Sequence, residues 1–80
     1  MTLSNELEAL QISLRELREM AGYSQKQVAE RIQTPQSQVS RIESRQDHLV
    51  STLRKYVEAV GGELQIHVIL NGEKYILQNV

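Results

Sequence analysis

The chain has 80 residues, 40% hydrophobic and 24% charged, with one proline, no cysteine and a formal net charge of -1, the makeup of one small folded domain spanning 1–80. Without cysteine there is no disulfide framework, no thiolate metal site and no thiol nucleophile. Glu6 and Glu8 interrupt the N-terminal stretch, so neither a secretory leader nor a membrane span is expected and the chain reads as cytoplasmic.

Charge is unevenly distributed. From Leu14 to Tyr56, Arg15, Arg18, Lys26, Arg31, Arg41, Arg45, Arg54 and Lys55 stand against Glu16, Glu19, Glu30, Glu43 and Asp47, eight against five, a net +3 between acidic flanks. A central segment that meets an anion fits that split, and so does an ordinary solvated surface.

Leu7, Leu10, Leu14, Leu17 and Ala21 recur at spacings of three and four, which predicts an amphipathic helix over 5–21 that Gly22 ends. Ser24 with Gln27 is a capping-box pattern heading a second helix over 25–32, with Val28, Ala29 and Ile32 inward. Thr34 followed by Pro35 predicts an N-cap and a first helical proline for a third helix over 35–44, with Val39 and Ile42 inward. Leu49, Leu53, Tyr56, Val57 and Val60 mark a fourth helix that Gly61 and Gly62 terminate. The bundle thus occupies about 5–61.

Past Glu63 the period changes from about 3.6 to 2. Leu64, Ile66, Val68 and Leu70 alternate with polar or less buried partners, then Asn71-Gly72 introduces a second run to Gln78. This predicts a β-hairpin over 63–79 with a type I′ turn, Leu70 opposite Glu73, Val68 opposite Tyr75 and Ile66 opposite Leu77. Its own helices are expected to cover one apolar face. Leu64, Ile66, Val68, Tyr75 and Leu77 with Ile69 and Ile76 behind them are then the candidate dimer interface.

No enzyme is read here. His48 and His67 lie far apart without partners at ligand spacing, and no phosphate loop or nucleophile motif is present. Neither a metal nor a cofactor is expected. The second and third helices, joined around Gln33-Thr34, form instead the two-helix unit whose second helix can enter a DNA major groove. The helix period leaves Gln36, Ser37, Gln38, Ser40 and Arg41 outside, with no acid between Thr34 and Ile42. Amides, hydroxyls and a guanidinium read base edges, whereas a carboxylate there would be repelled by phosphate. Gln25 at the start of the second helix suits a phosphate oxygen.

Taken in order, Leu14-Arg15-Glu16-Leu17-Arg18, Gly22-Tyr23-Ser24-Gln25, Val28-Ala29 and Gln36-Ser37-Gln38-Val39-Ser40-Arg41-Ile42-Glu43 resemble the Cro/phage-repressor class of helix-turn-helix regulators, the XRE family. The stretch from Leu53 to Leu64 is similar to the tail of small antitoxins of the host-inhibition-of-growth type, DNA-binding partners of ribonuclease toxins. The resemblance implies a mainly α, lambda-repressor-like bundle of about four helices with the hairpin appended. It implies base contacts from Gln36, Ser37, Gln38, Ser40 and Arg41, phosphate contacts from Ser24, Gln25, Lys26 and Arg45, and an internal pair between Arg18 and Glu43. Two positions depart from the pattern: Gln33 stands where the family has glycine in the turn, and Arg45 where a glycine often follows. A left-handed Gln33 would cost about 1 kcal/mol relative to glycine.

The implied function is a sequence-specific double-stranded DNA-binding repressor, a homodimer on a palindromic operator, and an antitoxin that represses its own operon beside a ribonuclease-type toxin. A free-standing regulator, or an interaction module that sequesters a toxin with little DNA binding, are the alternatives.

Overall fold

The computed structural model describes residues 10–80. Among them are four helices, α1 (Leu14–Ala21), α2 (Gln25–Arg31), α3 (Gln36–Ser44) and α4 (Val50–Ala59), then β1 (His67–Leu70) and β2 (Glu73–Ile76).

The first helix begins later than its periodicity predicts. Residues 10–13 are not helical, and the remainder of the expected extension, Leu7 included, lies outside the described residues. Ser13 is the N-cap: its hydroxyl accepts from the Glu16 N–H at 3.1 Å while the Glu16 carboxylate accepts from the Ser13 N–H at 2.9 Å. This reciprocal box satisfies two otherwise orphaned N–H groups, so the apolar stripe is cut there and Leu10 is left 91% exposed. Ala21 is exposed as well, and the buried residue of α1 is Arg18.

Three helices end in the same way. After α1, Tyr23 N–H donates to Arg18 O and Gly22 N–H to Glu19 O, with Gly22 at φ 86°. After α4, Gly62 N–H donates to Val57 O and Gly61 N–H to Glu58 O, with Gly61 at φ 87°. After α2, Thr34 N–H donates to Ala29 O and Gln33 N–H to Glu30 O, and the left-handed position is Gln33 at φ 56°. This is the Schellman arrangement, which closes free carbonyls at a helix end and demands a positive φ. Gln33 therefore occupies a glycine position, held there by the two bonds that also set the angle between α2 and α3.

Thr34 is not the N-cap of α3; it belongs to the turn that closes α2, its N–H donating to Ala29 O. Pro35 takes that place, extended at φ -63° and ψ 149°, and its carbonyl accepts from Gln38 N–H at 3.0 Å. The proline ring presets φ but carries no acceptor, so α3 has no side-chain cap.

Val28, Ala29, Val39, Ile42, Tyr56, Ala59 and Val60 form the core, with Leu14, Leu17, Tyr23 and Ile32 packed against it. Leu49, expected to begin the apolar face of the fourth helix, is instead its N-cap and 73% exposed. The hairpin has the predicted register, Val68 opposite Tyr75 and Leu70 opposite Glu73, extended by Leu77 N–H to Ile66 O at 2.8 Å. Asn71 (φ 52°) and Gly72 (φ 80°) are both left-handed, as a type I′ turn requires. The expectation that its own helices cover one face is met only in part. Leu64, Ile66 and Val68 are half-buried, whereas Tyr75 and Leu77 on the same face, and Ile69 and Ile76 on the other, are exposed.

Candidate nucleic-acid interface

Burial of Val39 and Ile42 fixes the rotation of α3 about its axis. At 3.6 residues per turn, Gln36, Ser37, Ser40 and Arg41 then form one exposed strip. Gln38 does not belong to it. Gln38 is half-buried and lines a shallow depression with Ile42, Arg45, His48 and Thr52, along the edge of the strip. Position 38 lies beside 42 and 45 at the edge of the strip, with 41 as its neighbour on the exposed side, a distinction that reading side chains simply as inward or outward misses.

Lys26 and Ser24 are exposed at the start of α2, and Ser24 caps that helix, accepting from the Gln27 N–H at 3.1 Å. Arg45 is exposed just past α3, its N–H bonded to Arg41 O. His48 is half-buried: its Nε2 lies 2.6 Å from Ile42 O, and because a carbonyl only accepts, that nitrogen carries the hydrogen. It closes one of the free carbonyls at the end of α3. His67 bonds Gln65 on the hairpin.

Beneath the strip lies a buried polar cluster. Arg18 Nε donates to Glu43 Oε2 at 2.6 Å and Arg18 Nη2 to Oε1 at 3.3 Å, with the two side chains 9% and 6% exposed. Arg18 Nη1 donates to Tyr23 O at 2.9 Å. The Tyr56 hydroxyl, on the most deeply buried side chain of α4, lies 2.6 Å from Glu43 Oε2 and 3.0 Å from Leu14 O. Gln25 Nε2 donates to Glu43 Oε1 at 3.1 Å, and Gln36 Nε2 to Gln25 Oε1 at 3.5 Å. The side-chain amide of Gln25 is thus tied inward to Glu43 and outward to the strip. Sequence reasoning did not foresee Tyr56 here. Its position in the apolar pattern of α4 hid the hydroxyl, although a buried tyrosine needs a partner for that group.

Burial alone would raise the Glu43 carboxyl, but the hydrogen bonds from Arg18, Tyr56 and Gln25 together outweigh it and hold the group below the ordinary carboxylate range. Burial, followed by the adjacent Glu43 carboxylate, pushes the Tyr56 phenol well up. Because the folded value for Glu43 lies below the unfolded one, its contribution to stability is complete above the ordinary value of 4.5 and is lost as pH falls through the lower folded value. Denaturant melts of the wild type against Glu43→Gln across the acid range are expected to show an additional loss of stability in the wild type. Parallel acid slopes would remove Glu43 from the acid sensitivity.

No helix among the described residues is long and apolar enough to cross a membrane. Within those residues no three histidine, aspartate or glutamate side chains come together to hold a metal.

A helix-turn-helix family model matches residues 14–66. The Mycobacterium tuberculosis protein named "Putative antitoxin HigA2" is 48% identical over 66 residues, covering 80% of this chain, which spans 65% of the length of that relative. Two solved structures share the architecture at 31% identity. One, of a HigA antitoxin whose unique dimerization induces DNA bending, has a TM-score of 0.77 and covers 89% of this chain and 97% of its own. The other, DNA-bound antitoxin HigA3, has a TM-score of 0.78 and covers 90% of this chain and 96% of its own.

Proposed function

The chain belongs to the helix-turn-helix family, of the XRE type, and from that premise we propose that it is a sequence-specific double-stranded DNA-binding repressor, an antitoxin that controls its own toxin–antitoxin operon. It acts by occupying a promoter in the cytoplasm rather than by turning over a substrate. The observation that carries this reading is the exposed strip of α3. Gln36, Ser37, Ser40 and Arg41 are all able to read base edges, and the nearest acid on that helix, Glu43, is turned inward and neutralised by Arg18. Ser24, the backbone N–H of Gln25 and Lys26 at the head of α2, with Arg45 past α3, supply phosphate contacts on either side. Gln38 contacts the flank of the site, since it stands apart from the strip.

One recognition helix buries too little DNA for useful specificity, so the repressor is a homodimer on a palindromic operator, its two α3 helices about 34 Å apart. The hairpin is the dimerisation element, because it carries the largest group of exposed apolar side chains outside the helices, Ile69, Leu70, Tyr75, Ile76 and Leu77. The relatives' antitoxin names support a toxin as protein partner, here a ribonuclease-type protein encoded beside this chain.

Mobility-shift titrations on the DNA upstream of the gene test the reading. Gln36→Ala and Arg41→Ala are each expected to weaken operator binding by about 1 to 3 kcal/mol without changing the fold. Gln36→Ala should change binding to random DNA less than Arg41→Ala does, because an amide adds no charge attraction to phosphate. Operator affinity that survives both substitutions would mean that α3 is not the reader.

A further inference from the structure

The hairpin is tied to α4 at both ends of its chain. It leaves the helix through Gly61 and Gly62, where Gly62 N–H donates to Val57 O at 2.9 Å and the backbone runs so close that a Cβ on Gly62 would stand 3.0 Å from Val57 Cγ1. It returns at Val80, whose carbonyl accepts from Arg54 Nη2, about one turn back along α4 from Val57. Asn79 makes that return possible: at φ 64° it is left-handed, a conformation that asparagine tolerates and β-branched residues do not. Between these points Leu64, Ile66 and Val68 are half-buried, whereas every residue from Ile69 to Val80 is exposed. No buried side chain therefore anchors the second strand. Pairing joins it to β1, but a hairpin packed along one strand alone can roll about that strand. The bond from Arg54 ties its far end to α4 and opposes the roll.

We propose that Arg54 is a positioning residue for operator recognition: by holding Val80 it fixes the attitude of the hairpin on α4, and thereby the half-site spacing that the dimer accepts. The proposal rests on the reading of the hairpin as the dimerisation element. In such a dimer the two hairpins meet at the two-fold axis, and each α3 stands about 17 Å from it, half of the roughly 34 Å between successive major grooves. The angle between hairpin and helices then acts through that lever. A swing of about 6° in each subunit changes the separation of the two α3 helices by about 3.5 Å, close to the rise of one base pair. A hairpin free to roll lets both helices follow half-sites moved by one base pair, whereas a clamped one forces the DNA or the interface to deform. Arg54 itself touches no base in this scheme, and its effect is on spacing rather than on the sequence of either half-site.

Titration of the full-length protein on operators with one base pair removed, or one or two inserted, between the half-sites tests this. The wild type is expected to lose about tenfold or more in affinity at each displaced spacing. Arg54→Met keeps an unbranched stem and removes the donor. It is expected to shrink that penalty by about fivefold, the scale of one net hydrogen bond, while circular dichroism and the sedimentation of a dimer stay as in the wild type. Asn79→Val should give the same change with every charge on α4 retained, because valine resists the left-handed turn that brings Val80 back. An equal loss of affinity at every spacing would mean that Arg54 contributes only its charge, and would overturn the proposal. An unchanged spacing profile overturns it too, as does an Arg54→Met chain that becomes monomeric at micromolar concentration, since Arg54 would then hold the interface and not the angle. The underlying reading fails separately: a dimer that survives truncation after Gly62 overturns both, whereas a dimer that needs the hairpin but keeps its full spacing penalty in Arg54→Met overturns the proposal alone.

Discussion

Replacement of Arg18 by alanine is expected to lower the unfolding free energy by about 3 to 5 kcal/mol, because it leaves the Glu43 carboxylate buried without its counter-charge. Three nitrogens are lost at once, two on Glu43 and one on Tyr23 O. Tyr56 and Gln25 would remain on the carboxylate as neutral donors, too little to offset the desolvation of a side chain 6% exposed. Each kcal/mol shifts the melting temperature of a domain this size by about 4 to 8 °C, so the fall should exceed ten degrees or so at fixed protein concentration. Arg15→Ala is the control. Arg15 pairs with Glu19 at 3.2 Å, but the side chains are 69% and 53% exposed, and such a surface pair contributes about 0.2 to 1 kcal/mol. A melting temperature for Arg18→Ala within a couple of degrees of the Arg15→Ala value would remove the pair from any account of stability. Paired apolar replacement at 18 and 43 should recover much of the loss, since it removes both buried charges together.

Truncation after Gly62 is expected to convert a dimer into a monomer by sedimentation and to weaken operator binding far beyond the effect of any single α3 substitution. The core residues Val28, Ala29, Val39, Ile42, Tyr56, Ala59 and Val60 all precede the cut, so the helices should keep their circular dichroism. What is removed is a two-stranded hairpin that is marginal alone in water and yet exposes Ile69 at 73%, Leu70 at 58% and Ile76 at 54%. Its outer strand edges also carry backbone groups open to pairing with a second copy. A monomer loses one of two half-sites, and with it the chelate gain of binding both through one molecule. If the shortened chain remains a dimer at micromolar concentration, the interface belongs to α1 or α4.

Local chemistry was legible in the chain. The Asn71-Gly72 pair and the alternation around it specify turn and register together, since a two-residue I′ turn allows one pairing and a slip by one residue would reverse every side chain. Ser24 with Gln27, and the glycines after α1 and α4, likewise act through neighbours three to five residues away. The same local rule also shows where the apolar stripe misled. The capping box of Ser13 and Glu16 stands in the sequence as plainly as that of Ser24 and Gln27, and it overrides the periodicity that carries the predicted helix back through Leu10.

Tertiary packing decided the rest. Periodicity identifies Gln36, Ser37, Gln38, Ser40 and Arg41 as outward, but the placement of α4 and the loop before it against one side of α3 separates Gln38 from the other four. The pairing of Arg18 with Glu43 was implied by family resemblance; the convergence of Tyr56 and Gln25 on the same carboxylate was implied by nothing in the pattern. Those contacts join positions 13, 18 and 25 residues apart. A spacing of that length carries no information about distance until the helices are packed. The composition and periodicities of this chain therefore determined its helices, its hairpin and the surface able to meet DNA. Packing of α1, α2 and α4 decided which side chains meet at Glu43, because a buried carboxylate must gather donors from wherever the fold brings them.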